Sequence, residues 1–247
     1  EDLVLARPTQ EQLTELTAWM KHEKTLMEDW AMARTLKPGY KCLFYGPPGT
    51  GKTLTATLLG KHFKKDVYRI DLSTVVSKYI GETEKNLENI FERTAFMDCI
   101  LFFDEADALF GKRTSVTEAH DRYANQEVSY LRQRIEDYTG LVILASNFKS
   151  NIDEAFLRRF QSVVHFPIPD VPERQQLWER AFPAKVRFEA DVNLGEIARN
   201  YKLTGGSIVN VVRYASLMTI RRDSETIRLA DINAGIRREF QKEGKNI

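Results

Sequence analysis

The segment Gly46-Pro47-Pro48-Gly49-Thr50-Gly51-Lys52-Thr53 constrains this chain more than any other part of it. It matches G-x-x-x-x-G-K-[ST], with strand-like Lys41 to Tyr45 before it and a helical pattern, Leu54 to Leu59, after it, which is the context the motif requires. The glycines let the backbone curl so that its N–H groups face phosphate oxygens, and the following helix adds its positive N-terminal end. The stretch from Gly46 to Leu54 is therefore expected to hold a nucleoside triphosphate. Lys52 would reach the β- and γ-phosphates, and Thr53 would ligate Mg2+. A Gly/Pro turn between strand and helix reproduces some of these residues by chance, but not all eight positions with both flanks.

Strand-like runs rich in β-branched and aromatic residues recur at Lys41 to Tyr45, Val67 to Leu72, Ile100 to Phe103, Leu141 to Ala145 and Val163 to Phe166. Between them Leu87, Ile90, Phe91 and Ala95 share one helical face, as do Val128, Leu131 and Ile135. Alternating strands and helices predict an α/β fold, a parallel sheet covered by helices on both faces. The pattern changes at Pro167-Ile168-Pro169-Asp170-Val171-Pro172, where three prolines break any regular element. Beyond it the sequence predicts helices at about Glu173 to Ala181, Leu194 to Tyr201, Ser207 to Arg221 and Leu229 to Gln241, and no convincing strand. The expected division is a large α/β nucleotide-binding domain over 1–170 and a small helical lid domain over 171–247, with a fraying tail from Lys242.

Two further strand ends carry chemistry. Ile100 to Phe103 runs into Asp104-Glu105, an acidic pair suited to hold Mg2+ through Asp104 and to orient the attacking water through Glu105. Acids at a helix N-terminus are the alternative origin for such a pair. Leu141 to Ser146 ends in Asn147, whose amide can donate to a γ-phosphate and accept from a water. Taken alone, Asn147 reads as a turn residue.

The combination of Gly46 to Thr53, Ile100 to Glu105, Ser146-Asn147 and Ile152 to Phe160 resembles the AAA+ ATPases, in particular the AAA clade that contains katanin and spastin. The resemblance covers roughly residues 40 to 243. It implies a five-stranded sheet of order 5-1-4-3-2, a helical lid, and a homo-oligomeric ring, usually a hexamer, with ATP bound between subunits. It also implies that Arg158 or Arg159 reaches a neighbour's ATP as a finger. This chain lacks the Pro-Gly insertion that separates the two arginines in many relatives, so the resemblance leaves open which of them does so. Ser77 to Lys85 is similar to the clade's pore loop, in which Tyr79 and Ile80 would grip a protein substrate, and Gly111 to Asn125 would form a second pore loop. Thr204-Gly205-Gly206-Ser207 is similar to the lid segment near the nucleotide, where Gly205 and Gly206 let backbone approach adenine or ribose. Leu3-Val4-Leu5 would line the adenine pocket. A finer resemblance, across Ser77 to Asn86, Phe102 to Arg113 and Asp121 to Glu127, is to bacterial single-ring AAA ATPases encoded beside extracellular contractile injection systems.

Composition narrows the choice of function. No apolar run approaches the roughly 20 residues a membrane helix needs. The sequence opens Glu1-Asp2-Leu3 without methionine, a basic start or an apolar run, which predicts no signal peptide and a chain trimmed from something longer. Lys and Arg number 36 and Asp and Glu 35, so the molecule projects no strong field toward nucleic acid. Cys42 and Cys99 sit in apolar runs and read as buried hydrophobes in a reducing, cytoplasmic setting. The four histidines have no metal-like spacing. The leading expectation is an ATP-hydrolysing motor that remodels or threads proteins. A clamp-loader-like nucleic-acid machine would need a basic groove or an added DNA-binding module. A nucleotide-dependent assembly scaffold would be expected to lack the Glu105 or arginine types present here.

Overall fold

The computed structural model describes residues 3–72, 82–109, 129–147 and 157–245. By contacts it divides into two compact units: a sheet unit of residues 7–46 and 52–166, and a helical unit of residues 1–6, 47–51 and 167–247.

The sheet unit holds five parallel strands, β1 (Tyr40–Tyr45), β2 (Asp66–Asp71), β3 (Cys99–Asp104), β4 (Leu141–Ser146) and β5 (Ser162–His165), in the order β2-β3-β4-β1-β5. This is the expected 5-1-4-3-2 order. The three middle strands are buried along almost their whole length, which is why their sequences read as continuous apolar runs, while edge strand β2 exposes Asp66, Tyr68 and Arg69. Helix α2 (Lys52–Phe63) follows β1, α3 (Glu82–Thr94) precedes β3, and residues 129–137 are helical before β4. Leu87, Phe91, Leu131 and Ile135 pack on Leu101, Phe103, Val142 and Leu144.

One element had no counterpart in the sequence reading. Helix α1 (Arg7–Lys24) buries Thr9, Leu13, Leu16 and Met20 along one stripe. It shields the β5 edge: the Thr9 hydroxyl donates to the His165 carbonyl at 2.7 Å, and the His165 N–H donates to Gln12 Oε1 at 2.7 Å.

The helical unit contains α4 (Val171–Ala181), α5 (Leu194–Asn200), α6 (Gly205–Ile220) and α7 (Leu229–Lys242), around Trp178, Ile197, Ile208, Val211, Ile232 and Ile236. Asp170 and Glu173 form a capping box that starts α4 where the proline-rich break ends. The unit also holds a short parallel pair, β6 (Arg187–Phe188) with β7 (Thr226–Ile227). Two-residue strands are too short for an alternating pattern, so no strand was expected beyond Pro172.

Candidate nucleotide site

In the sheet unit, the carboxyl ends of β1, β3 and β4 bring the expected side chains together. Gly46 follows β1 and donates its N–H to the Ser146 carbonyl at 3.2 Å. Its φ is 148°, and a Cβ there would stand 2.0 Å from the Phe166 carbonyl oxygen, so only glycine fits. Lys52 opens α2 and is almost fully buried; its Nζ donates to the Gly46 carbonyl at 2.6 Å and to Asn147 Oδ1 at 3.2 Å. Burial pushes the Lys52 pKa down, while the Asp104 and Asp107 carboxylates pull it back up. An incoming phosphate would support the ammonium in the same sense.

One helical residue on, the Thr53 hydroxyl donates to Asp104 Oδ2 at 3.3 Å. A hydroxyl and a carboxylate are the hard oxygen donors that Mg2+ prefers, so the residues fit the ion. The same Oδ2 lies 2.7 Å from Arg69 Nη2, and Asp104 Oδ1 accepts from the Glu105 N–H at 3.0 Å. Glu105 is exposed and has a φ of 53°, a left-handed conformation that a glutamate adopts only at a cost of about 1–3 kcal/mol. Such strain is typical of catalytic positions.

Sequence reasoning missed two residues. Asp107 accepts from the Ser146 hydroxyl at 2.6 Å and from the Asn147 N–H at 3.2 Å, which ties the end of β4 to the short turn Ala106–Leu109 after β3. The only sequence signal for it was a second acid three residues after Asp104. Arg69 carried no signal at all.

In the helical unit, Pro47–Gly51 lies against the start of α6. The Gly206 N–H donates to the Gly49 carbonyl at 2.9 Å, and a Cβ on Gly49 would stand 2.7 Å from Thr204 Oγ1. Thr204 caps α6 by accepting from the Ser207 N–H at 3.3 Å, and Thr50 closes its own turn by donating to the Pro47 carbonyl at 2.8 Å. A Cβ on Gly205 would stand 3.5 Å from the Gly49 carbonyl oxygen, and Leu3 Cδ1 would lie 3.7 Å from one on Gly51. Pro48 belongs to the same loop, and Leu54 is exposed on α2.

The two arginines differ. Arg159 forms an ion pair with Glu136 of the same chain, whereas exposed Arg158 makes no ion pair among the described residues. Tyr79, Ile80 and Gly111 to Asn125 lie outside the described residues. Both cysteines are free and buried, and no helix among the described residues is long and apolar enough to cross a membrane.

Residues 42–168 match the family described as "ATPase family associated with various cellular activities (AAA)". The chain belongs to the AAA ATPase family. Cell division protein C of Sulfolobus acidocaldarius is 32% identical over 72% of this chain and 50% of its own length. Peroxisomal ATPase PEX6 of Candida glabrata is 32% identical over 78% of this chain and 20% of its own. A katanin p60 ATPase-like protein of Oryctolagus cuniculus is 31% identical over 83% of this chain and 44% of its own. The AAA chain described here thus spans half or less of these curated relatives.

Proposed function

We propose that this AAA chain hydrolyses ATP in the presence of Mg2+ as one subunit of a cytoplasmic homo-oligomeric ring, read as a hexamer. Residues 1–170 serve as the nucleotide-binding domain and 171–247 as a small lid domain. The observation that carries the reading is the pairing of Lys52 with Asn147 and of Thr53 with Asp104 in one unit, at the carboxyl ends of β1, β3 and β4. Nitrogen and backbone donors of Gly46 to Thr53 bind the phosphates, with Gly205 and Gly206 close to the loop. Thr53 and Asp104 would hold Mg2+, which when bound neutralises phosphate charge. Glu105 accepts a hydrogen bond from the attacking water and takes its proton, while Asn147 orients that water against the γ-phosphate.

Arg158 acts on a neighbour's phosphate, and Arg159 supports it from its ion pair with Glu136. The proposed work is remodelling or threading of a protein substrate gripped by Tyr79 and Ile80, in the assembly or loading of a bacterial contractile injection system. The kinship with the katanin-like and PEX6 relatives supports an ATP-driven role of this kind. The test is ATP binding and turnover for the wild type, Lys52→Ala and Glu105→Gln. Lys52→Ala should lose ATP binding. Glu105→Gln should bind ATP yet turn it over about 100-fold or more slowly. Wild-type turnover by Glu105→Gln would refute the hydrolytic assignment.

A further inference from the structure

Asp104 already has a cation. Arg69 on β2 is in register with Phe102 of β3, so strand alternation puts Arg69, Phe102 and Asp104 on one face of the sheet. Asp104 is then the diagonal neighbour two residues along, about 7–8 Å from Cα to Cα and within reach of a long side chain. The guanidinium spans that gap to Asp104 Oδ2, the oxygen that also accepts from Thr53. The two partners differ in their access to water: the Arg69 side chain is 59% exposed and that of Asp104 only 13%. Because β2 is an edge strand, Arg69 has solvent to withdraw into, and Asp104 does not.

We propose that Arg69 is a tethered counter-cation for Asp104 that a divalent metal ion must displace, so that this residue sets how much free metal the nucleotide site requires. The proposal rests on the reading of Thr53 and Asp104 as the metal-binding pair. A carboxylate oxygen cannot serve a guanidinium and a divalent cation on the same lone pairs, so entry of the ion sends Arg69 out to water. Without metal, a bound triphosphate would face the bare charge of Asp104, and Arg69 offsets that repulsion. Removing Arg69 therefore has two separable effects: less metal is needed for tight nucleotide binding, and metal-free nucleotide binds more weakly. A residue that merely supported the fold would weaken binding equally with and without metal.

The experiment is a titration of a fluorescent N-methylanthraniloyl ATP on the intact chain, in EDTA and across free Mg2+, for the wild type, Arg69→Gln and Arg69→Lys. For Arg69→Gln the half-saturating Mg2+ should fall, and affinity in EDTA should fall, each by about two- to fivefold, the range for a partly exposed ion pair. Arg69→Lys, which keeps the charge, should lie between the two. An unmoved Mg2+ titration, or an equal loss of affinity in EDTA and in Mg2+, overturns the role of Arg69. Should Arg69→Gln lose its fold, the Arg69→Lys titration decides by the same criteria. Failure of the wild type to bind this nucleotide, or binding indifferent to Mg2+, would instead overturn the reading of the site itself.

Discussion

Glu105 sits where its backbone would prefer a glycine. Its φ of 53° follows directly on Asp104, whose carboxylate accepts the Glu105 N–H, so the turn aims one acid at the cation position and leaves the other exposed beside it. Replacing Glu105 with glycine should relieve the strain and raise unfolding stability by about 1 kcal/mol relative to Glu105→Ala, which loses the same carboxylate but keeps the Cβ. Both variants should lose hydrolysis. Equal denaturation midpoints for the two would mean that the turn is not strained. The residues of the site were legible in the sequence to different degrees, for a physical reason. Gly46, Lys52 and Thr53 answer to one local requirement, a backbone curled around phosphate, so their spacing is visible. Asp107 and Arg69 act on partners brought near only by strand pairing, at Asn147 and Asp104, and no local pattern announces them.

At the scale of elements, the five strands were readable because each is either a continuous apolar run or a β-branched stretch. Helix α1 was overlooked although Leu13, Leu16 and Met20 recur at helical spacing, because a polar majority surrounds that narrow stripe. Strand β1 conceals a second surprise. Lys41 is buried, donates Nζ to the Tyr138 carbonyl at 2.6 Å, and has its pKa pushed down by burial to about 8, with Asp137 opposing the shift and Lys37 reinforcing it. The folded pKa thus lies below the ordinary 10.5 of the unfolded chain. Below about pH 8 the full cost of burying the ammonium is present, and it is relieved as pH rises toward 10.5, because the folded state sheds its proton first. The stability of the wild type relative to Lys41→Met should therefore improve by on the order of 1–2 kcal/mol between about pH 7 and about pH 9.5. A difference independent of pH would show that Lys41 is not held in a desolvated site.

For the whole molecule, the family match covers the sheet and the phosphate loop, and the relatives extend well beyond the length of this chain. What a single chain holds is one set of groups around a γ-phosphate and, elsewhere on it, Arg158 with no ion-pair partner among the described residues. The central claim is that the two belong to different subunits of one active site, so that assembly is a condition of turnover. An arginine supplied in trans accelerates phosphoryl transfer by about 10³–10⁵ in well-characterised cases. The direct measurement is ATP turnover in mixtures of Glu105→Gln and Arg158→Ala chains. Each variant alone should be nearly inactive, and mixing should restore turnover, because some interfaces then pair an intact Glu105 with an intact Arg158. Full activity of Arg158→Ala alone, or mixtures no more active than their parts, would contradict a site shared between subunits.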